Sequence, residues 1–287
     1  MAAIFEHEMN TYYHSIATYL FDAFLLVFVG VGCLLYNIQN AVANFEYVLQ
    51  FVSIGLVVIV PVLTMKVISE EKKQKTDQLL YSLPLTGTQI VIGKYLAVVC
   101  VFLLPMLIIC MYPLVFAQFG DVYLPTSYGS LFAFFLMGCA LIAIGTFISS
   151  LTDNQGFAAG ISIPVILFNY YSVSLAEYVS DSAAGTLIAL VVIGVVLGLI
   201  VKQLTQNETF AYVTGGAVCA VSMAVYLVKS SLLEGILPEI MSALSLFDRF
   251  SNFVNGVFDL TSIVFYLTVI VFFLFMTVQS VEKRRYN

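Results

Sequence analysis

The residues of this chain whose types and spacing could do chemistry concentrate in one polar segment, residues 66–89, between two apolar runs. Acidic residues come first, basic residues follow, and a pair of leucines closes the pattern. The set comprises Glu70, Glu71, Lys72, Lys73, Lys75, Thr76, Asp77, Leu79 and Leu80. Ser69 is a good N-cap, and acidic residues favour the positive end of a helix. Because Pro84 stops a helix, the pattern predicts a helix from Ser69 to Leu83 that lies at the membrane surface with its apolar end in the interface. The alternative is a solvated connector whose lysines only set the topology, but the segment is longer than a simple connector needs, so part of it is available to something outside the membrane.

Patterns that would support catalysis fall short of their requirements. The sequence after His7 begins like a zinc-protease signature, but Thr11 stands where the second histidine is needed. The run from Gly87 to Tyr95 has the wrong glycine spacing for a phosphate-binding loop, and no Ser or Thr follows Lys94. We interpret Lys94 as an anchor at the membrane interface. The cysteines all fall in apolar runs, so we expect no metal site and no disulfide framework.

The elements that position the polar segment belong to a membrane protein. Apolar residues make up 61% of the 287 residues and charged residues only 10%, whereas soluble domains carry about 25% charged residues. This composition excludes a soluble enzyme, a nucleic-acid binder and a disordered scaffold. We expect an all-α polytopic membrane protein that forms a single transmembrane domain over residues 1–287, with a helix at the membrane interface over residues 1–15.

Apolar runs of about 20 residues predict the membrane-spanning helices. We identify eight: Ile16–Tyr36, Tyr47–Met65, Ile90–Ala117, Tyr128–Leu151, Phe157–Ala176, Gly185–Val201, Phe210–Val228 and Leu260–Ser280. With both termini in the cytoplasm, nine of the 11 basic residues face the cytoplasm, and only Lys229 and Arg249 lie outside. This positive-inside bias predicts a cytoplasmic segment 66–89 and an extracytoplasmic segment 229–259.

Three stretches, taken together, resemble the ABC type-2 permeases, and within them the gliding-motility and nitrous-oxide-accessory branch. They are the run from Glu70 through the Leu83-Pro84 turn to Leu96, the turn Ser149–Gln155, and the segment Ser245–Leu260. The family usually has six spans, so the resemblance implies a six-helix exporter-like bundle with an inserted helix pair at 185–228. Arg249 departs from the family pattern, in which histidine is common at that place.

The resemblance implies the membrane subunit of an ATP-binding-cassette exporter in the bacterial plasma membrane. ATP and Mg would bind to a separate ATPase subunit, so this chain would hold no cofactor and would not be an enzyme itself. Glu70–Leu80 would be the coupling helix, and a second permease copy or paralogue would complete a dimer. Asp153 and Asn154 are a candidate secondary contact, or else a helix cap before Phe157. Two alternatives stay open: a membrane scaffold that holds accessory proteins, and an ion-coupled secondary carrier.

Overall fold

Helices make up the regular secondary structure of the described part of the chain. The computed structural model describes residues 2–76, 85–178, 183–205, 208–228 and 235–286. The helices are, in chain order, α1 Ala2–Tyr13, α2 Ile16–Gly32, α3 Glu46–Thr64, α4 Ser69–Gln74, α5 Gly87–Ile109, α6 Tyr112–Phe116, α7 Leu124–Leu151, α8 Gln155–Ala176, α9 Ala183–Thr205, α10 Glu208–Val228, α11 Ile236–Ala243, α12 Leu246–Val254 and α13 Leu260–Tyr286. A π-helical stretch, Cys33–Gln39, continues α2.

Six helical stretches of the described residues are long and apolar enough to cross a membrane. They are Ile16–Gln39, Glu46–Gln74, Gly87–Phe116, Leu124–Leu151, Gln155–Ala176 and Leu260–Arg285. Each begins at or shortly before the start of an apolar run identified in the sequence. The prediction of an all-helical, multi-pass membrane protein is therefore confirmed.

The two remaining apolar runs fold as helices α9 and α10, within a compact unit formed by residues 171–245 and 286–287. These two helices pack closely against each other. A Cβ added at Gly215 would lie 2.9 Å from the Gly194 carbonyl oxygen, so glycine is required at this helix contact. That α9 and α10 cross the membrane stays a prediction.

The other compact unit, residues 1–170 with 246–285, contains the main hydrophobic core. Helix α7 is buried along most of its length and packs against α3 and α5. Glycines on α7 allow this approach: a Cβ at Gly138 would lie 2.3 Å from the ring of Phe102. Phe102 in turn stacks on Phe135 with 5.6 Å between ring centroids. Close contacts between these helices hold the ends of α3 and α7 together.

The segment predicted to be extracytoplasmic contains ordered helices in its described part, residues 235–259. Helix α12 is amphipathic and buries Leu246, Phe250 and Phe253 against α7 and α3. The Ser130 hydroxyl on α7 donates a 2.9 Å hydrogen bond to the carbonyl oxygen of Phe253. After α12 the chain turns at Gly256, whose φ of 80° suits glycine. On which side of the membrane this segment lies stays a prediction.

Candidate functional site

The polar segment begins in a short helix whose first turn is capped by another helix. Ile68 is the N-cap residue of α4, and its side chain provides no cap. Instead, the Ser149 oxygen near the end of α7 accepts the backbone N–H groups of Ile68 and Ser69, each at 3.2 Å. The same hydroxyl donates to the Met65 carbonyl oxygen at 3.1 Å. The prediction that Ser69 is the N-cap was wrong, because Ser149 supplies the acceptor that a cap side chain would provide.

Helix α4 ends after Gln74, so the prediction of a continuous helix to Leu83 was wrong. Lys75 adopts a left-handed conformation with φ of 58°. The chain reversal lets the N–H groups of Lys75 and Thr76 donate to the carbonyl oxygens of Lys72 and Glu71 at 3.3 and 3.1 Å. These bonds satisfy the last helical carbonyl groups and stop the helix before the proline.

Part of the predicted contact set lies outside the residues that the structure describes. Asp77, Leu79 and Leu80 fall in residues 77–84, outside the described residues. The contact role assigned to them therefore stays a prediction.

The remaining predicted contact residues divide into surface and buried groups. Lys73, Lys75 and Thr76 are exposed, and Glu70 is partly exposed. Lys72 is buried, and its ammonium group donates to the Ser150 carbonyl oxygen at the end of α7.

Lys72 therefore attaches α4 to α7, and the contact role assigned to it stays a prediction. The same carbonyl oxygen of Ser150 also accepts the Ser280 hydroxyl of α13 at 3.0 Å. The helices α4, α7 and α13 thus meet at this one backbone oxygen. The neighbouring residue Lys73 keeps its side chain on the surface.

A group of three charges around the buried Lys94 joins α1, α4 and α5. The Lys94 ammonium lies 2.6 Å from Glu8 Oε1 and 2.7 Å from Glu71 Oε1, and only 2% of the Lys94 side chain is exposed. We call Glu8, Lys94 and Glu71 the Lys94 cluster. The interpretation of Lys94 as an interfacial anchor was wrong, because its charge is neutralised within the protein.

Tyr12 is buried beside the Lys94 cluster, and these surroundings change the pKa of its phenol group. Loss of water contact on burial raises its pKa well above the ordinary value, and the negative charges of Glu8, Glu70 and Glu71 raise it further. Tyr12 therefore stays neutral over the physiological range. Glu8 and Tyr12 face the protein interior together with Ile4, whereas Glu6 and His7 on the same helix are exposed.

The turn between α7 and α8 contains the predicted secondary contact. Asn154 Oδ1 accepts the N–H groups of Gly156 and Phe157 at 2.9 and 3.4 Å, so Asn154 caps α8. The Asp153 carboxylate lies 2.7 Å from a guanidinium nitrogen of Arg284 on α13, and more than half of the Asp153 side chain is exposed. The helix-cap alternative therefore holds for Asn154, while Asp153 links the turn to α13.

These groups surround an open polar cleft of about 630 Å³ beside α4. We call it the α4 cleft; it is lined by Lys72, Lys73, Leu151, Thr152, Asp153, Asn154 and Arg284. Its charged residues comprise three cations and one anion. Such a surface suits contact with an acidic group of another protein. Sequence reasoning identified α4 and the turn separately, but it did not predict the contacts of Ser149 and Arg284, which attach α4 to α7 and the turn to α13.

A second buried carboxylate lies at the other end of α3. Glu46 is 1% exposed, and its Oε1 accepts the Ser127 hydroxyl of α7 at 2.7 Å. A single acidic residue at the start of an apolar run was the only sequence signal for it. Among the described residues, no group of three or more His, Cys, Asp or Glu side chains is arranged to hold a metal ion.

The six candidate spans define a multi-pass membrane protein, and a short charged helix is fixed to the ends of its spans. Residues 4–182 match the family model described as ABC-2 family transporter protein, which is more than half of the chain. The chain belongs to this family and is the permease subunit of an ABC transporter. The match includes α1 to α8 and the polar segment. No curated protein and no solved structure matches the chain.

Proposed function

We propose that this chain couples ATP hydrolysis by a separate ABC ATPase subunit to export of a substrate across a bacterial plasma membrane. One observation carries the proposal: a short charged helix is attached to the ends of several spans through Ser149, Lys72 and Lys94. Force applied to α4 therefore reaches α7 and α5 directly. Within the ABC type-2 permeases, the three resembling stretches favour assignment of this chain to the gliding-motility and nitrous-oxide-accessory branch.

The proposed topology has eight spans, with α9 and α10 as an inserted pair within residues 185–228. Both termini lie in the cytoplasm, because nine of the 11 basic residues then fall on that side. Helix α4 faces the cytoplasm in this topology, where an ATPase is able to reach it. The segment 229–259 lies on the opposite side.

The proposed docking surface combines the exposed side chains of α4 with the segment that follows it. Lys73, Lys75 and Thr76 provide charge and register, while Leu79 and Leu80 provide the apolar anchor. Asp153 and the α4 cleft form a secondary contact. ATP and Mg bind to the partner ATPase, and ATP-driven closure of two ATPase subunits moves two permease subunits between inward-open and outward-open states.

The test is co-purification of this chain with a co-expressed ABC ATPase subunit from the same genome. We expect the wild-type chain in detergent to retain the ATPase, and the doubly substituted chain L79D/L80D to lose it. The variant K73E/K75E should weaken the complex through the exposed charges. The control is K202E, which reverses a charge of the same sign far along the chain and should leave the complex intact.

The outcomes separate the competing functions. Retention of the ATPase by all variants would move the contact away from α4 and overturn the docking surface. Absence of ATPase from the wild-type preparation would overturn the coupled permease. The membrane scaffold that holds accessory proteins would then be the better account, or the ion-coupled carrier if ion gradients drive uptake into vesicles.

A further inference from the structure

We propose that Lys94 is the positioning residue that makes α1 and α4 move as one body together with the start of α5. The ion pairs that join the helices do not depend on the proposed function. Its use in coupling rests on the proposed function, because α4 moves only if an ATPase docks on it.

Three helices are joined at one atom, the Nζ of Lys94. Lys94 lies in the second turn of α5, and its Nζ is 2.6 Å from Glu8 Oε1 of α1 and 2.7 Å from Glu71 Oε1 of α4. A displacement of α4 away from α1 would break one of these two ion pairs. Because only 2% of the Lys94 side chain is exposed, water cannot replace the lost partner without the helices opening.

The charges of the Lys94 cluster make the ammonium group indispensable. The Glu8 and Glu71 carboxylates share the Lys94 cation. Replacement of Lys94 by an apolar residue removes the cation from the buried Glu8 carboxylate and leaves this carboxylate facing the partly exposed Glu71 carboxylate, which drives α1 and α4 apart. Replacement of Glu8 alone leaves one ammonium and one carboxylate, and this is a balanced pair.

Helices α1 and α4 each have other contacts with the protein. The Lys94 cluster therefore joins two helices that are already held in place by packing or hydrogen bonds. Ile4 and Tyr12 of α1 are buried, and this helix packs on α5. Helix α4 is attached to α7 by Ser149 and Lys72. The Lys94 cluster therefore joins the N-terminal helix to the helix that we propose to contact the ATPase.

The experiment is amide hydrogen exchange on the full chain in lipid nanodiscs. We compare the wild type with K94M, E8Q and the charge-free triple variant K94M/E8Q/E71Q. In K94M, we expect exchange in both α1 and α4 to rise more than about tenfold, since an uncompensated buried charge is costly. In E8Q and in the triple variant, exchange should stay near the wild-type level because no buried charge is left without a partner.

A second measurement separates positioning from simple structural support. In the complex with the ATPase, a non-hydrolysable ATP analogue should change the exchange of α1 and α4 together in the wild type. In the triple variant, which keeps the packing but lacks the ion pairs, the change should be confined to α4. Thermal stability should not distinguish the triple variant from the wild type.

Two results would overturn the proposal. The first is unchanged exchange of α1 in K94M, which would show that the Glu8 and Glu71 carboxylates do not need the Lys94 ammonium to stay side by side. The second is an equal response of α1 to the ATP analogue in the wild type and the triple variant. If the ATPase does not bind at all, the proposed function fails, whereas the comparison of K94M with the triple variant still decides the role of Lys94.

Discussion

Gly145 on α7 lies directly against Thr64 on α3, so that a Cβ added at Gly145 would come within 2.2 Å of Thr64 Oγ1. Thr64 is fully buried, and its hydroxyl donates to the Val60 carbonyl oxygen at 2.9 Å. The Thr64 side chain thus occupies the space that a methyl group at position 145 would need. This contact fixes the distance between α3 and α7 one turn before the residues that hold α4.

We expect G145A to destabilise the protein by about 1–3 kcal/mol, because inserting a methylene into a packed core costs roughly this amount. The measurement is the thermal unfolding temperature in detergent. The control is G160A on α8, where no atom lies within 4 Å of an added Cβ. Equal effects of the two substitutions would mean that helix propensity, and not the contact with Thr64, determines the result.

Ser149 should control the start of α4. Its oxygen accepts the N–H groups of Ile68 and Ser69, so S149A leaves two buried donors without a partner, at a cost of about 1–3 kcal/mol. We expect faster amide exchange at residues 68–72. The matched control is S150A, because the adjacent Ser150 hydroxyl donates only within its own helix, to the Phe147 carbonyl oxygen. Similar exchange in both variants would contradict the capping role.

Six of the eight predicted spans coincide with helices of spanning length in the described residues, because apolar length is the signal for such helices. The environment of individual polar residues was not predictable in this way. Lys72 and Lys73 are adjacent and identical in type, yet one is buried and the other exposed. That difference depends on which side of α4 faces Ser150, a residue 78 positions away along the chain. Lys94 was misassigned for the same reason, since its partner Glu8 is separated from it by 86 positions.

The two lysines of α4 should therefore respond differently to substitution. K72M removes the bond to the Ser150 carbonyl oxygen and should lower the thermal unfolding temperature, at a cost of about 1–3 kcal/mol. K73M changes an exposed side chain and should alter stability by less than about 0.5 kcal/mol. If the docking proposal holds, K73M still weakens binding of the ATPase in a co-purification assay. A larger loss of stability in K73M than in K72M would contradict the assigned environments.

Tyr12 should make the protein sensitive to alkaline conditions. Burial and the neighbouring carboxylates of Glu8, Glu70 and Glu71 raise the pKa of its phenol above the ordinary value of 10.0. The folded protein therefore favours the neutral phenol, whereas the unfolded chain loses the proton near pH 10.0. The stability that Tyr12 contributes is fully present below that pH, and it is lost as the pH rises towards the raised pKa of the folded state.

We expect the unfolding temperature of the wild type to fall more steeply above pH 10.0 than that of Y12F, which has no proton to lose at this position. The control is Y13F, which removes the exposed phenol hydroxyl of the adjacent tyrosine. The measurement is thermal unfolding in detergent between pH 8 and 11, a range that brackets the ordinary tyrosine pKa of about 10. Parallel curves for the wild type and Y12F would show that Tyr12 ionises as readily in the folded protein as in the unfolded chain.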